Sequence, residues 1–224
     1  MEVDAYRVDF EEAKTISDAW LIMSDVQFVG LASKRLLKYR DGIQNDPVLP
    51  RCLWTGAIEA YSRCFATGRR SRLNKEEVFD GQADALKMHD YLLTLRNEHT
   101  AHSVNGLEQS EAGIMISEDG EWTVANLADF ANAPPTDIVK ALDQTSEFVW
   151  NWVKLRSIPV HDELLVKAKA LGEPTIKSYP KIKLRMKHWI LHLIPLLLCL
   201  NVGDPPRGRT GNLLIKSQLL CQLS

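Results

Sequence analysis

Apolar residues recur at helical spacing from Phe10 to about Tyr39: Ala13, Ile16, Trp20 and Met23, then Val26, Val29, Leu36 and Leu37. The spacing predicts one long helix or two abutting ones, ended by the turn pair Asp41-Gly42. Pro47 and Pro50 interrupt the chain next. A second helix is predicted from about Pro50 to Thr67, with Leu53, Trp54, Ile58, Tyr61 and Phe65 inward and Gly68 as its stop. Asn74, with Glu77 three residues on, has the form of a helix cap, and a third main helix is predicted from about Gln82 to Ser103. After Asn105-Gly106 the period shortens. Gly113–Ser117 and Glu121–Ala125 carry Ile114, Ile116, Trp122 and Val124 on either side of Glu118-Asp119-Gly120, a hairpin pattern. Pro134-Pro135-Thr136-Asp137 opens a fourth helix with Thr136 as its N-cap and Ile138, Leu142, Phe148, Val149, Trp152 and Leu155 as its apolar set. Pro159 is expected to break that helix, and a short one from about Asp162 to end at Gly172. The fold class these elements predict is all-α: an antiparallel helical bundle with a small β-hairpin inserted before its last long helix.

The last segment departs from this pattern. Trp189–Leu200 is apolar but contains Pro195, and it is shorter than the ~20 residues needed to span a bilayer. Cys221-Gln-Leu-Ser224 can be encoded as a stretch whose reverse complement resembles the D-arm of a transfer-RNA gene. Residues 179–224 are therefore expected to be a non-native extension of the reading frame or a poorly ordered tail, without a membrane role. The functional domain is expected to be residues 1–178.

Composition adds bounds. At 224 residues, 45% hydrophobic and 25% charged, the chain has the makeup of an ordinary globular protein. Its formal net charge of −2 gives no overall polybasic field, so contact with nucleic acid needs a local patch. Cys52, Cys64, Cys199 and Cys221 have neither a CxxC spacing nor a metal-site rhythm. With a charged N-terminal stretch unlike an export signal, they are expected to be reduced thiols in a cytoplasmic protein.

The end of the third helix carries the candidate chemistry. At about 100° per residue, Ala85, Met88, Leu92 and Leu95 form an apolar stripe, with Lys87, Asp90, Thr94 and Glu98 largely opposite. Arg96, His99 and Ser103 continue the stripe, and His102 lies at its edge. Burying such groups without partners is costly, so they call for a cleft, an interface or internal pairing. Arginine is a permanent cation suited to phosphate, and histidine exchanges a proton near neutral pH.

Arg96-Asn97, followed after four more residues by His102, resembles the signature of the HEPN superfamily (higher eukaryotes and prokaryotes nucleotide-binding domains). The resemblance covers roughly Phe10 to Gly172, and its sharp element is this short motif. It implies a metal-independent endoribonuclease, of the kind found in toxin–antitoxin and phage-defence systems, that needs no cofactor. A substrate 2′-OH would attack the adjacent phosphorus and leave a 2′,3′-cyclic phosphate. The implied roles are His102 as general acid or base, Arg96 as the group stabilising transition-state charge, and Asn97 as the residue orienting the phosphate or His102. It also implies a homodimer whose motifs face each other, with RNA as substrate and an antitoxin or other partner protein as a further possibility.

Other readings stand beside this one. The alternative for Arg96 and His102 is an ion-pair network that ties helices together, with Glu59 of the second helix as one partner, in a non-catalytic nucleotide- or protein-binding module. His99 is an alternative proton carrier, and Ser103 and Glu98 are possible accessories. Glu98, His99 and His102 have helical spacings open to a metal, but no third ligand cluster accompanies them, and no metal site is expected. Arg69, Arg70 and Arg72, flanked by Arg63 and Lys75, are candidates to hold an RNA backbone or else form a solvated basic turn. Trp20, Trp54, Trp150 and Trp152 are expected in the core, Trp122 is the exception on the hairpin, and His89 and His161 are expected to be structural or exposed.

Overall fold

A computed structural model of the chain describes residues 4–41, 46, 48–98, 108–130 and 134–182. They form α1 (Glu11–Asp41), α2 (Val48–Arg63), α3 (Lys75–Val78), α4 (Ala83–Arg96), β1 (Glu108–Ile116), β2 (Trp122–Phe130), α5 (Thr136–Leu171) and α6 (Glu173–Ser178). The structure is mostly helical with one two-stranded antiparallel hairpin, the coarse class that the apolar pattern predicts. The described residues fall into two compact units, one of 4–20 with 153–182 and one within 21–152, and α1 and α5 contribute to both. Among the described residues, no helix is long and apolar enough to cross a membrane.

The unit within residues 21–152 holds most of the core. Met23, Val26, Val29 and Leu36 of α1 are buried, as are Trp54, Ile58 and Tyr61 of α2, Met88 and Leu92 of α4, and Ile138, Leu142 and Val149 of α5. Each recurs at the three-to-four-residue spacing that puts side chains on one helix face. Gly30 lies where α1 and α5 approach. A β-carbon placed on it would stand 3.5 Å from Asp143 Oδ1 and 3.7 Å from Ser146 Oγ, which is ordinary contact. Because glycine disfavours a helix interior, Gly30→Ala is expected to raise stability by about 1 kcal/mol. A lowered urea midpoint would instead show that α5 cannot accept the methyl.

In the other unit, the start and end of the described chain meet. Arg7 N donates to Pro180 O (2.8 Å) and Ile182 N to Ala5 O (2.8 Å), an antiparallel bridge centred on Tyr6 and Lys181. Lys181 also pairs with Asp4 at 2.7 Å, Lys167 pairs with Glu12, and the Phe10 ring meets that of Tyr179 edge-on. Thus residues 179–182, placed in the tail by the sequence pattern, take part in this bridge.

Several predicted boundaries are corrected. Pro50 does not delay α2, which starts at Val48. Asp46 Oδ1 accepts from Val48 N at 2.9 Å and Leu49 N at 3.3 Å, and a proline in the first turn has no intrahelical donor to lose. Thr136 is the first helical residue rather than the cap, since Val139 N already donates to Pro135 O. Pro159 does not break the last long helix: α5 runs for 36 residues through it. Leu155 and Pro159 are both exposed, so the carbonyl that loses its N–H partner is open to water. Leu155, predicted inward, is 68% exposed.

The hairpin is longer than predicted because backbone pairing from Glu108↔Phe130 to Ile116↔Trp122 extends beyond the apolar residues. Gly120 closes it with φ +81°, a conformation glycine reaches without a Cβ clash, and donates to Ser117 O at 2.9 Å. Ile114, Ile116, Trp122 and Val124 are all more than half exposed.

Candidate functional site

α4 packs antiparallel on α2. Tyr61 near the end of α2 and Phe65 just beyond it meet His89 in the middle of α4, whereas Glu59, further back in α2, meets Arg96 at the end of α4. Ala85, Met88 and Leu92 hold α4 against the core, and this fixes the face on which Arg96 emerges.

Arg96 is held along two edges of its guanidinium group. Nε donates to Glu59 Oε1 at 3.0 Å, Nη2 donates to Glu59 Oε2 at 3.1 Å, and Nη1 donates to Asn97 Oδ1 at 3.1 Å. This forked pairing matches guanidinium to carboxylate and locks the side chain's direction. Among the described residues it uses three of five N–H groups, so one on each terminal nitrogen is left for another acceptor. With side-chain exposures of 36% for Arg96 and 28% for Glu59, the pair is half-buried and reachable from solvent. The backbone supports the geometry, because Asn97 stays helical and its N–H is shared between Leu93 O and Thr94 O.

Of the predicted site residues, the structure therefore brings together Arg96 and Asn97, with Glu98 exposed one residue on. His99, His102 and Ser103 lie outside the described residues. Among the predicted RNA contacts, Arg70 is committed elsewhere: its Nη2 donates to Asp25 Oδ2 at 2.6 Å, and Arg63 takes the other oxygen of Asp25 at 2.7 Å. Arg69 and Arg72 are exposed and make no ion pair among the described residues. Trp54 is fully buried, Trp20, Trp150 and Trp152 are half-buried, and Trp122 is 74% exposed. Burial pushes the Cys64 thiol up to about 12, which leaves it a neutral thiol rather than a nucleophile. Among the described residues, no three His, Cys, Asp or Glu side chains gather where they could hold a metal ion.

His89, expected to be structural or exposed, is structural, though its partners were not foreseen. It is fully buried, its Nδ1 lies 2.8 Å from Tyr61 Oη, and its Nε2 has no partner among the described residues. Its ring sits in an aromatic cluster, 4.3 Å from Phe65 and 5.1 Å from Phe79, and Phe79 stacks on Phe148. Burial holds its pKa down to about 4, so the ring is neutral at pH 7. The signal was available: His89 follows Met88 and precedes Leu92 by three, on the same side of α4 as Arg96 seven residues later. Beside it opens a cleft of about 370 Å³, walled by Phe65, Leu73 and Leu93 and rimmed by Arg72 and Lys75.

Compared with protein-family models, curated proteins and solved structures, the chain matches none.

Proposed function

We propose that the chain is a metal-independent endoribonuclease of the HEPN type, acting as a homodimer, with Arg96, Asn97 and His102 as its working residues. The observation that carries this reading is the state of Arg96. The motif arginine is fixed in direction by Glu59 and Asn97 at the end of a helix buried on one face, stays reachable from solvent, and keeps two N–H groups uncommitted among the described residues. A preorganised cation of this kind stabilises charge developing on a phosphoryl oxygen without having to reorganise. In the proposed step the RNA 2′-oxygen bonds to phosphorus and the bond to the 5′-oxygen breaks, giving a 2′,3′-cyclic phosphate and a 5′-hydroxyl. His102 carries the proton that leaves the 2′-oxygen or reaches the departing one.

The same ion pair favours a second reading, a non-catalytic binding module in which Arg96 serves to tie α4 to α2. One experiment separates the two. The full chain is incubated with mixed RNA in excess EDTA, beside Arg96→Ala and His102→Ala. Cleavage by the native chain, reduced at least about a hundredfold in each variant, supports the nuclease. Cleavage that persists in either variant, or stops with chelator alone, defeats the mechanism. No cleavage by a native chain that retains RNA in a filter-binding assay supports the module.

A further inference from the structure

The cleft beside His89 is lined by that fully buried residue, whose Nε2 has no partner among the described residues, and has a cation at its rim. Tyr61 Oη has one proton to place, and its bond to His89 Nδ1 can be made in two ways. If Nδ1 donates, both the tyrosine proton and the Nε2 lone pair are left unused. If the tyrosine donates, a single group is left over, the Nε2–H. Because orphaned buried donors are costly, the second arrangement is favoured, and it leaves Nε2–H as an unanswered donor inside a fully buried residue that lines the cleft. A neutral ring is consistent with this tautomer.

The walls are apolar and partly aromatic, from Phe65, Leu73 and Leu93. At the rim, Lys75 is tied to Asp90 at 2.7 Å and Glu76 carries a negative charge, so Arg72 is the cation left to meet a ligand. Water does not reach Nε2 as the side chains stand. A ligand must therefore displace part of the wall, and half-buried Phe65, with its ring 4.3 Å from that of His89, is the group placed to turn aside. The volume falls in the range of small-molecule sites.

We propose that this cleft binds a flat ring bearing both a hydrogen-bond acceptor and an anionic group, with the acceptor on His89 Nε2–H, the ring along Phe65 and the anion at Arg72. A nucleoside monophosphate and a heteroaromatic carboxylate share this chemistry. The site is separate from the phosphodiester chemistry assigned to Arg96 and does not depend on it.

Calorimetric titration of the full chain tests the assignment with five probes: adenosine and uridine 5′-monophosphates, nicotinate, benzoate and inorganic phosphate. Nicotinate has a ring acceptor that benzoate lacks, so nicotinate or a nucleotide is expected to bind at least about tenfold more tightly than benzoate or phosphate. Binding by nucleotides but not nicotinate assigns the nucleotide source, and the reverse assigns the carboxylate. Arg72→Ala, a surface change, is expected to weaken the bound probe at least about tenfold. The nitrogen resonance of His89 Nε2 in the unaltered protein is expected to shift on saturation. Absence of binding by nicotinate and both nucleotides at millimolar concentration overturns the proposal. So does equal binding of benzoate and nicotinate with no nucleotide preference over phosphate, equal affinity in Arg72→Ala, or an unmoved Nε2 resonance.

Discussion

Trp54→Ala is expected to lower the unfolding free energy of the full chain by about 3–5 kcal/mol, a large part of the stability a domain ordinarily has. Trp54 is fully buried on α2, one turn before Ile58 and two before Tyr61, which are also fully buried. Removing the indole takes away the largest apolar side chain of that face, and the neighbours, fixed on rigid helices, can close only part of the space. The indole also has a defect, since its Nε1–H is buried without a hydrogen-bond partner. Trp54→Phe removes that donor along with one ring, so relief of the orphaned N–H offsets part of the lost burial. The phenylalanine variant should therefore retain well over half of what the alanine variant loses. Urea unfolding followed by far-ultraviolet circular dichroism measures both. An alanine variant within about 1 kcal/mol of the native chain would place Trp54 outside the structural core.

Periodicity located residues such as Trp54, Leu92 and Leu142 because a helix buried on one face repeats that requirement every three or four positions, a purely local rule. What the sequence did not disclose depends on distant partners. Arg70 stands in a basic run that looks solvated, but Asp25, 45 residues earlier, claims its guanidinium. His89 looks isolated until Tyr61, 28 residues upstream, is brought to its Nδ1. Pro159 carries the usual signal for a helix end, and only the exposure of that stretch explains why α5 continues. Glu59 was legible as a partner for Arg96, since the two helices had to pack and each needed its charge answered. The forked geometry that leaves Arg96 both anchored and reachable was not legible, because it depends on how far α4 projects past Glu59.

Acidification is expected to act through His89. Burial in the aromatic cluster is the main cause that lowers its pKa from 6.5 to about 4. Lys75 lowers it further, and Asp90 and Glu76 oppose the shift. As pH falls below about 6.5 the unfolded chain takes up a proton at this position while the folded chain does not, so the unfolded state binds more protons and gains. The stability contributed by keeping His89 neutral is therefore complete above pH 6.5. It declines as pH falls and is lost by about pH 4, a change of about 3 kcal/mol at roughly 1.4 kcal/mol per pH unit. Ion-paired carboxylates such as Glu12 and Asp4 also titrate in acid, so the comparison requires His89→Phe, which keeps them and lacks the imidazole. The stability difference between native chain and variant should shift by about 3 kcal/mol against the native chain from pH 7 to pH 4. A difference that stays constant would show that His89 titrates alike in both states. Should the variant not fold, the nitrogen resonances of His89 in the native chain decide the matter. They should report a neutral ring at pH 5.5, because an imidazolium would be poorly compensated in a site closed to water where Tyr61 is its one hydrogen-bond partner among the described residues.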